Sequence, residues 1–228
     1  MNREKLEQLQ AVVFDMDGLM FDSERVVKIS WDKAGEILGY GPLGHNIVNT
    51  LGTNRTNREI YFKKQYGQDF PFDEFLTIYR NAYYEYSENH GVPVKEGLHE
   101  LLEVLREKNM KIGVATSSSA EHAWANLKRE HIEDYFQTVI TGDMVHQGKP
   151  EPDIYLKACE GLKALPETAM ALEDAVNGIR SAYKAGMMPV MIPDLVKDTS
   201  QIDELLFGKY RSLLDVAGEL KHLEKKER

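Results

Sequence analysis

The chain has one cysteine, two tryptophans and no apolar run of membrane-spanning length. The lone Cys159 excludes an internal disulfide and fits a reducing cytoplasm. It lies at helical spacing from Tyr155, which reads as a packed core residue rather than a nucleophile. Met1–Glu7 lacks the apolar core of a signal peptide, and no segment reads as a membrane span. Positive charge is also short: 28 Lys and Arg against 37 Asp and Glu, a net charge of −9. That balance argues against a nucleic-acid partner and requires an anionic ligand to be captured by local positive charge. The seven histidines are dispersed, with no H-x-H or H-E-x-x-H zinc pattern. Repeats and low-complexity linkers are missing as well.

What is present fits a globular enzyme. The 228 residues are 42% apolar and 29% charged, enough for a substantial core in one domain or in a domain carrying an inserted one. Five core strands are expected, near 12–14, 111–115, 138–140, 170–172 and 189–192. Amphipathic helices separate the last four. Leu98, Leu101, Leu102 and Leu105 form one apolar face, Ala158, Leu162 and Leu165 help build another, and 175–185 a third, stopped by Gly186. Alternating strands and helices predict an α/β fold, a Rossmann-like parallel five-stranded sheet with right-handed crossovers. Residues 19–90 contain no convincing strand and read as helices over 24–38, 57–66 and 73–89. Ten of the 19 Phe and Tyr residues fall between Tyr61 and Tyr86, and Phe72, Phe75, Tyr79, Tyr83 and Tyr86 share one helix face. A core for this helical segment is the favoured reading over a substrate-stacking wall. Gly18 and Gly91-Val92-Pro93 bracket the segment, and the charged tail after His222 is expected to fray.

Chemistry concentrates at Asp15, Asp17, Lys149 and Asp174. The run Ala11-Val-Val-Phe14 ends in Asp15-Met16-Asp17-Gly18, and Ala169-Met-Ala-Leu172 ends in Glu173-Asp174. Open parallel sheets place ligands at the carboxyl ends of such strands. Residues two apart on an extended segment project to one side, so Asp15 and Asp17 can face one crevice. Close carboxylates repel unless a cation or a shared proton relieves them, and Lys149 in Gly148-Lys149-Pro150 is one candidate. The neighbouring Gly142–Lys149 stretch imitates a P-loop, but its spacer is one residue too long and Pro150 replaces the metal-binding hydroxyl.

In order along the chain, Asp15-Met-Asp17-Gly18, Thr116, Lys149-Pro150 and Glu173-Asp174 resemble the four motifs of the haloacid dehalogenase superfamily, over nearly the whole chain. The resemblance implies a catalytic core of residues 1–18 and 91–228 with a helical cap at 19–90. It implies Asp15 as nucleophile and Asp17 as general acid and base. Mg²⁺ would be held by the Asp15 carboxylate, the Asp17 carbonyl and the Asp174 carboxylate, with Glu173 orienting a ligand or a water. Lys149, the Thr116 hydroxyl and backbone N–H groups near Asp17, Gly18 and Ser117 would bind the phosphoryl oxygens.

Asp17 points to a phosphate ester, because the family's dehalogenases lack an aspartate there and its phosphonatases depart there too. The closer likeness is to the β-phosphoglucomutase branch, through Asp22-Ser23-Glu24 and Leu51-Gly52-x-x-Arg55. Arg55 matches that branch's phosphate-binding arginine, and a helix-starting surface arginine is an equal reading. Val27 and Leu51 stand where the mutase carries a histidine and a lysine, which favours a phosphatase of a small phosphorylated metabolite. Segments 116–118 and 191–194 also resemble pseudouridine-phosphate and sugar-phosphate phosphatases. A hexose-phosphate mutase is the alternative, and a non-catalytic phosphate-binding protein is a third reading. A cytoplasmic monomer is expected.

Overall fold

Burial on both faces makes β1 (Ala11–Phe14) the centre of the molecule: none of its four residues is exposed. The computed structural model describes residues 3–50, 55–195 and 198–223. A short helix, α1 (Arg3–Glu7), leads into β1. Four helices follow: α2 (Ser23–Ile37), α3 (Ile47–Thr50), α4 (Arg55–Tyr66) and α5 (Phe72–His90). The chain then runs α6 (Leu98–Glu107), β2 (Lys111–Ala115), α7 (Ala120–Arg129), β3 (Thr138–Ile140), α8 (Asp153–Leu162), β4 (Ala169–Glu173), α9 (Val176–Lys184), β5 (Met188–Met191), β6 (Gly208–Lys209) and α10 (Leu213–Lys221).

The sheet order is β3-β2-β1-β4-β5-β6, and every pairing is parallel. It is the Rossmann-like order, with β1 bonded to β2 on one side and to β4 on the other, so the strand order reverses beside β1. The sheet has six strands rather than the expected five. β6 is a two-residue edge strand with no apolar run, held by pairing of Val190 with Gly208 and by Phe207 N–H donating to the Pro189 carbonyl. On one face, Val13, Ala115, Ala171, Ile154, Tyr155, Ala158 and Cys159 pack into a common core. Burial pushes the Cys159 thiol up to about 11, consistent with a packing residue. Leu98, Leu101, Leu102 and Leu105 are fully buried on α6. Leu165 departs from expectation: it is 61% exposed, because Lys163 takes a left-handed conformation and ends α8 one turn earlier.

The chain divides into two compact units, one running to Phe21 and resuming at Val94, the other Asp22–Pro93. No helix among the described residues is long and apolar enough to cross a membrane. Leu51 and Gly52, and the tail beyond Leu223, lie outside the described residues.

The inserted unit is built on aromatic rings. Trp31 on α2 meets Phe62, Phe75 and Tyr79 edge-on, with centroids 5.3, 5.4 and 6.0 Å away. Phe62 also packs against Phe70, Phe72 and Phe75. Trp31, Phe62 and Phe75 are fully buried, which makes these rings a core. Phe62→Ala removes the ring shared by four of these six contacts, and we expect it to lower the unit's stability by roughly 3–5 kcal/mol. Urea unfolding followed by Trp31 fluorescence, in a Trp124→Phe background, reads this directly. A loss below about 1 kcal/mol would show that the rings are not the unit's core.

Candidate active site

Asp15 continues the ladder past β1, its N–H donating to the Leu172 carbonyl at 3.0 Å. Its side chain is buried. Lys149, from the loop between β3 and α8, reaches it across the sheet ends. The ammonium donates to Asp15 Oδ1 at 2.5 Å, to Glu173 Oε1 at 2.6 Å and to the Ala115 carbonyl at 2.9 Å. Three acceptors therefore meet an ammonium's three protons. The Tyr155 hydroxyl donates to the same Glu173 oxygen at 2.5 Å, and its ring lies 5.1 Å from the ammonium.

Electrostatics follow from this burial. Desolvation raises Asp15 to about 7 against the pull of Lys149, with Glu173 and Asp17 adding to the rise. Burial works against the Lys149 cation, yet Asp15 and Glu173 outweigh it and hold the group above the usual lysine range. Burial, with Glu173 next, holds the Tyr155 phenol well above its usual range, so it stays a donor.

Asp15, Glu173 and Asp174 are all buried, and each offers a carboxylate oxygen within 4.8 Å of the others'. Such hard oxygen donors, with more negative than positive charge, fit Mg²⁺. Glu173 is already tied to Lys149 and Tyr155, so it also orients the lysine. Gly18 makes room for the cluster: a Cβ there would stand 2.3 Å from Asp174 Oδ2, and its φ of +84° suits glycine. The Gly18 N–H, expected near an anion cradle, donates at 2.8 Å to the Phe21 carbonyl, inside the turn that follows β1.

Beyond β2, Thr116 is buried and its Oγ1 accepts from Ser118 N–H at 3.1 Å, while Ser117 is exposed. Ser118 Oγ donates to Asp17 Oδ2 at 2.6 Å. His122 Nε2, on α7, lies 3.4 Å from Asp17 Oδ1, and hydrogen bonding with that carboxylate raises the imidazole against the opposing effect of burial. The structure thus gathers Asp15, Asp17, Lys149, Glu173 and Asp174 at the carboxyl ends of β1 and β4, with Thr116 at the end of β2. Arg55 belongs to the inserted unit, where it is exposed and paired with exposed Asp73.

A family profile described as haloacid dehalogenase-like hydrolase matches residues 12–192. The chain belongs to that family. Among its relatives, the haloacid dehalogenase-like chain is 29% identical over 216 residues to the putative phosphatase YhcW of Bacillus subtilis, covering 93% of this chain and 94% of that one. It is also 29% identical over 180 residues to the phosphorylated carbohydrates phosphatase of Thermotoga maritima, covering 78% and 82%. Among solved structures, a putative β-phosphoglucomutase from Thermotoga maritima shares the fold at a TM-score of 0.80 and 24% identity, covering 95% of this chain and all of that one.

Sequence reasoning passed over Tyr155, Ser118, His122 and Gly178. Tyr155 carried a signal, a phenol on an apolar helix face six residues past Lys149. Gly178 carried another, a glycine inside a helix just after the Glu173-Asp174 pair. A Cβ on Gly178 would lie 1.9 Å from Glu173 Cδ and Oε1. Alanine is otherwise better than glycine inside a helix by about 1 kcal/mol. Gly178→Ala should therefore leave the fold intact by circular dichroism while displacing Glu173 and its hold on Lys149. We expect hydrolytic activity to fall about 10- to 100-fold, as with other changes to groups that orient a metal site. Unchanged activity would show that Glu173 need not sit where it does.

Proposed function

We propose that this hydrolase is a Mg²⁺-dependent phosphatase of a small phosphorylated metabolite, a sugar phosphate or similar ester, acting through an aspartyl phosphate. The observation that carries the reading is the Lys149 ammonium clasped between Asp15 and Glu173, with Asp17 two residues beyond the nucleophile. The phosphatase names of the relatives support it.

Asp15 attacks phosphorus, forming an Oδ–P bond as the ester P–O bond breaks. Asp17 gives its proton to the departing alkoxide, then takes a proton from the water that attacks the phosphoryl-aspartate. Lys149 and the Thr116 hydroxyl neutralise and orient the phosphoryl oxygens, which is where most of the acceleration of phosphoryl transfer arises. Asp15, the Asp17 carbonyl and Asp174 would hold Mg²⁺, which when bound supplies charge neutralisation at the carboxylate cluster and the phosphoryl group.

Phosphate release from p-nitrophenyl phosphate should need Mg²⁺ and fall by roughly three orders of magnitude or more in Asp15→Asn, with folding retained. Full activity in excess chelator would contradict the metal-dependent scheme, and a tenth of wild-type turnover in the variant would remove Asp15 from the role.

Val27 and Leu51 cannot make the hydrogen bonds that a histidine and a lysine would supply at those positions in a mutase. With β-glucose 1-phosphate, Mg²⁺ and a trace of the 1,6-bisphosphate, a ³¹P NMR time course should show inorganic phosphate accumulating. Glucose 6-phosphate accumulating with little free phosphate would replace this reading with the mutase.

A further inference from the structure

The Asp17 side chain is one-third exposed, so packing alone does not aim it. Its aim matters, because a general acid works only when its proton points at the leaving oxygen. The Ser118 hydroxyl donates to Asp17 Oδ2 at 2.6 Å, a short hydrogen bond. Ser118 is itself held at both ends of its peptide. Its N–H donates to Thr116 Oγ1 at 3.1 Å, and its carbonyl accepts from Gly142 N–H at 3.0 Å. Gly142 in turn packs so closely that a Cβ there would meet the Ser117 carbonyl oxygen at 2.4 Å. A serine fixed by two neighbouring loops thus reaches 101 positions back in sequence to one carboxylate oxygen.

We propose that Ser118 is the positioning residue for Asp17, resting on the phosphatase reading above. With Oδ2 accepting from Ser118, Oδ1, which His122 Nε2 approaches at 3.4 Å, is the oxygen left to carry the transferable proton. In the first step that proton moves to the ester oxygen as the P–O bond breaks. In the second, Oδ1 takes a proton from water as the water oxygen bonds to phosphorus and the Asp15 Oδ–P bond breaks, releasing phosphate and the free Asp15 carboxylate. The Ser118 proton stays on serine throughout. Thr116, an expected phosphoryl ligand, and Asp17, the expected acid, are thereby spaced by a single residue's backbone and hydroxyl.

The test uses leaving groups. 4-Nitrophenolate departs without needing a proton, whereas a propyl alkoxide does not. The value of kcat/KM covers binding through departure of the alcohol, so it isolates the acid step. In Ser118→Ala, kcat/KM should fall less than about threefold for 4-nitrophenyl phosphate and roughly 30- to 300-fold for n-propyl phosphate. Asp17→Asn should show the same selectivity more strongly, and Ser118→Thr should recover most of the alkyl-ester rate. The thermal midpoint of Ser118→Ala should stay near that of wild type. Equal losses on both esters, or no loss on either, would overturn the positioning role while leaving the phosphatase reading intact. A wild-type chain that hydrolyses neither ester would overturn the phosphatase reading and this role with it.

Discussion

A buried ammonium must be matched proton for proton, and that requirement organises the carboxyl edge of this sheet. Lys149 spends its donors on Asp15, Glu173 and the Ala115 carbonyl, which belong to the ends of β1, β4 and β2. Removing any one acceptor would leave a buried ammonium proton without a partner, a costly state in a low-dielectric setting. The three strand ends therefore keep their relative positions. The same contacts set the electrostatics of Asp15, since burial raises its carboxyl and only the lysine among the nearby groups pulls the other way. Tyr155 extends the arrangement into α8, linking the site to the apolar core beneath it.

The two units solve their packing problems differently. The sheet-bearing unit buries small and branched side chains, Ala11, Val13, Ala115, Ala171 and Ala182, between sheet and helices. The inserted unit uses large rings around Trp31 and Phe62. Rings give a compact helical unit much apolar area per residue, and edge-on geometries add to that burial.

Much of this was legible in the residues. Apolar runs that stop at acids located β1 and β4 together with the carboxylates that cluster at their ends, and the leucine spacing of α6 placed its buried face. The misses in the fold share a cause, since each depends on the course of the backbone. β6 is a glycine and a lysine joined by main-chain bonds, which no side-chain pattern announces. Leu165 continues a helical period, but the left-handed Lys163 had already ended the helix. Ser118 and His122 are ordinary helix-start residues until the fold carries Asp17 to them.

The insertion also enters and leaves the sheet-bearing unit at one place. Phe21 pairs with Val94 in an antiparallel bridge, Lys95 N–H donates to the Met20 carbonyl, and Asp22 N–H donates to the Pro93 carbonyl at 2.7 Å. Two chain segments stitched side by side are what a hairpin needs to close. To the sheet, the 22–93 excursion is topologically equivalent to a turn, and its length and content are invisible to the strand order. Such a junction lets a lineage exchange or lengthen the whole inserted piece without disturbing the strand ends that gather the acidic cluster.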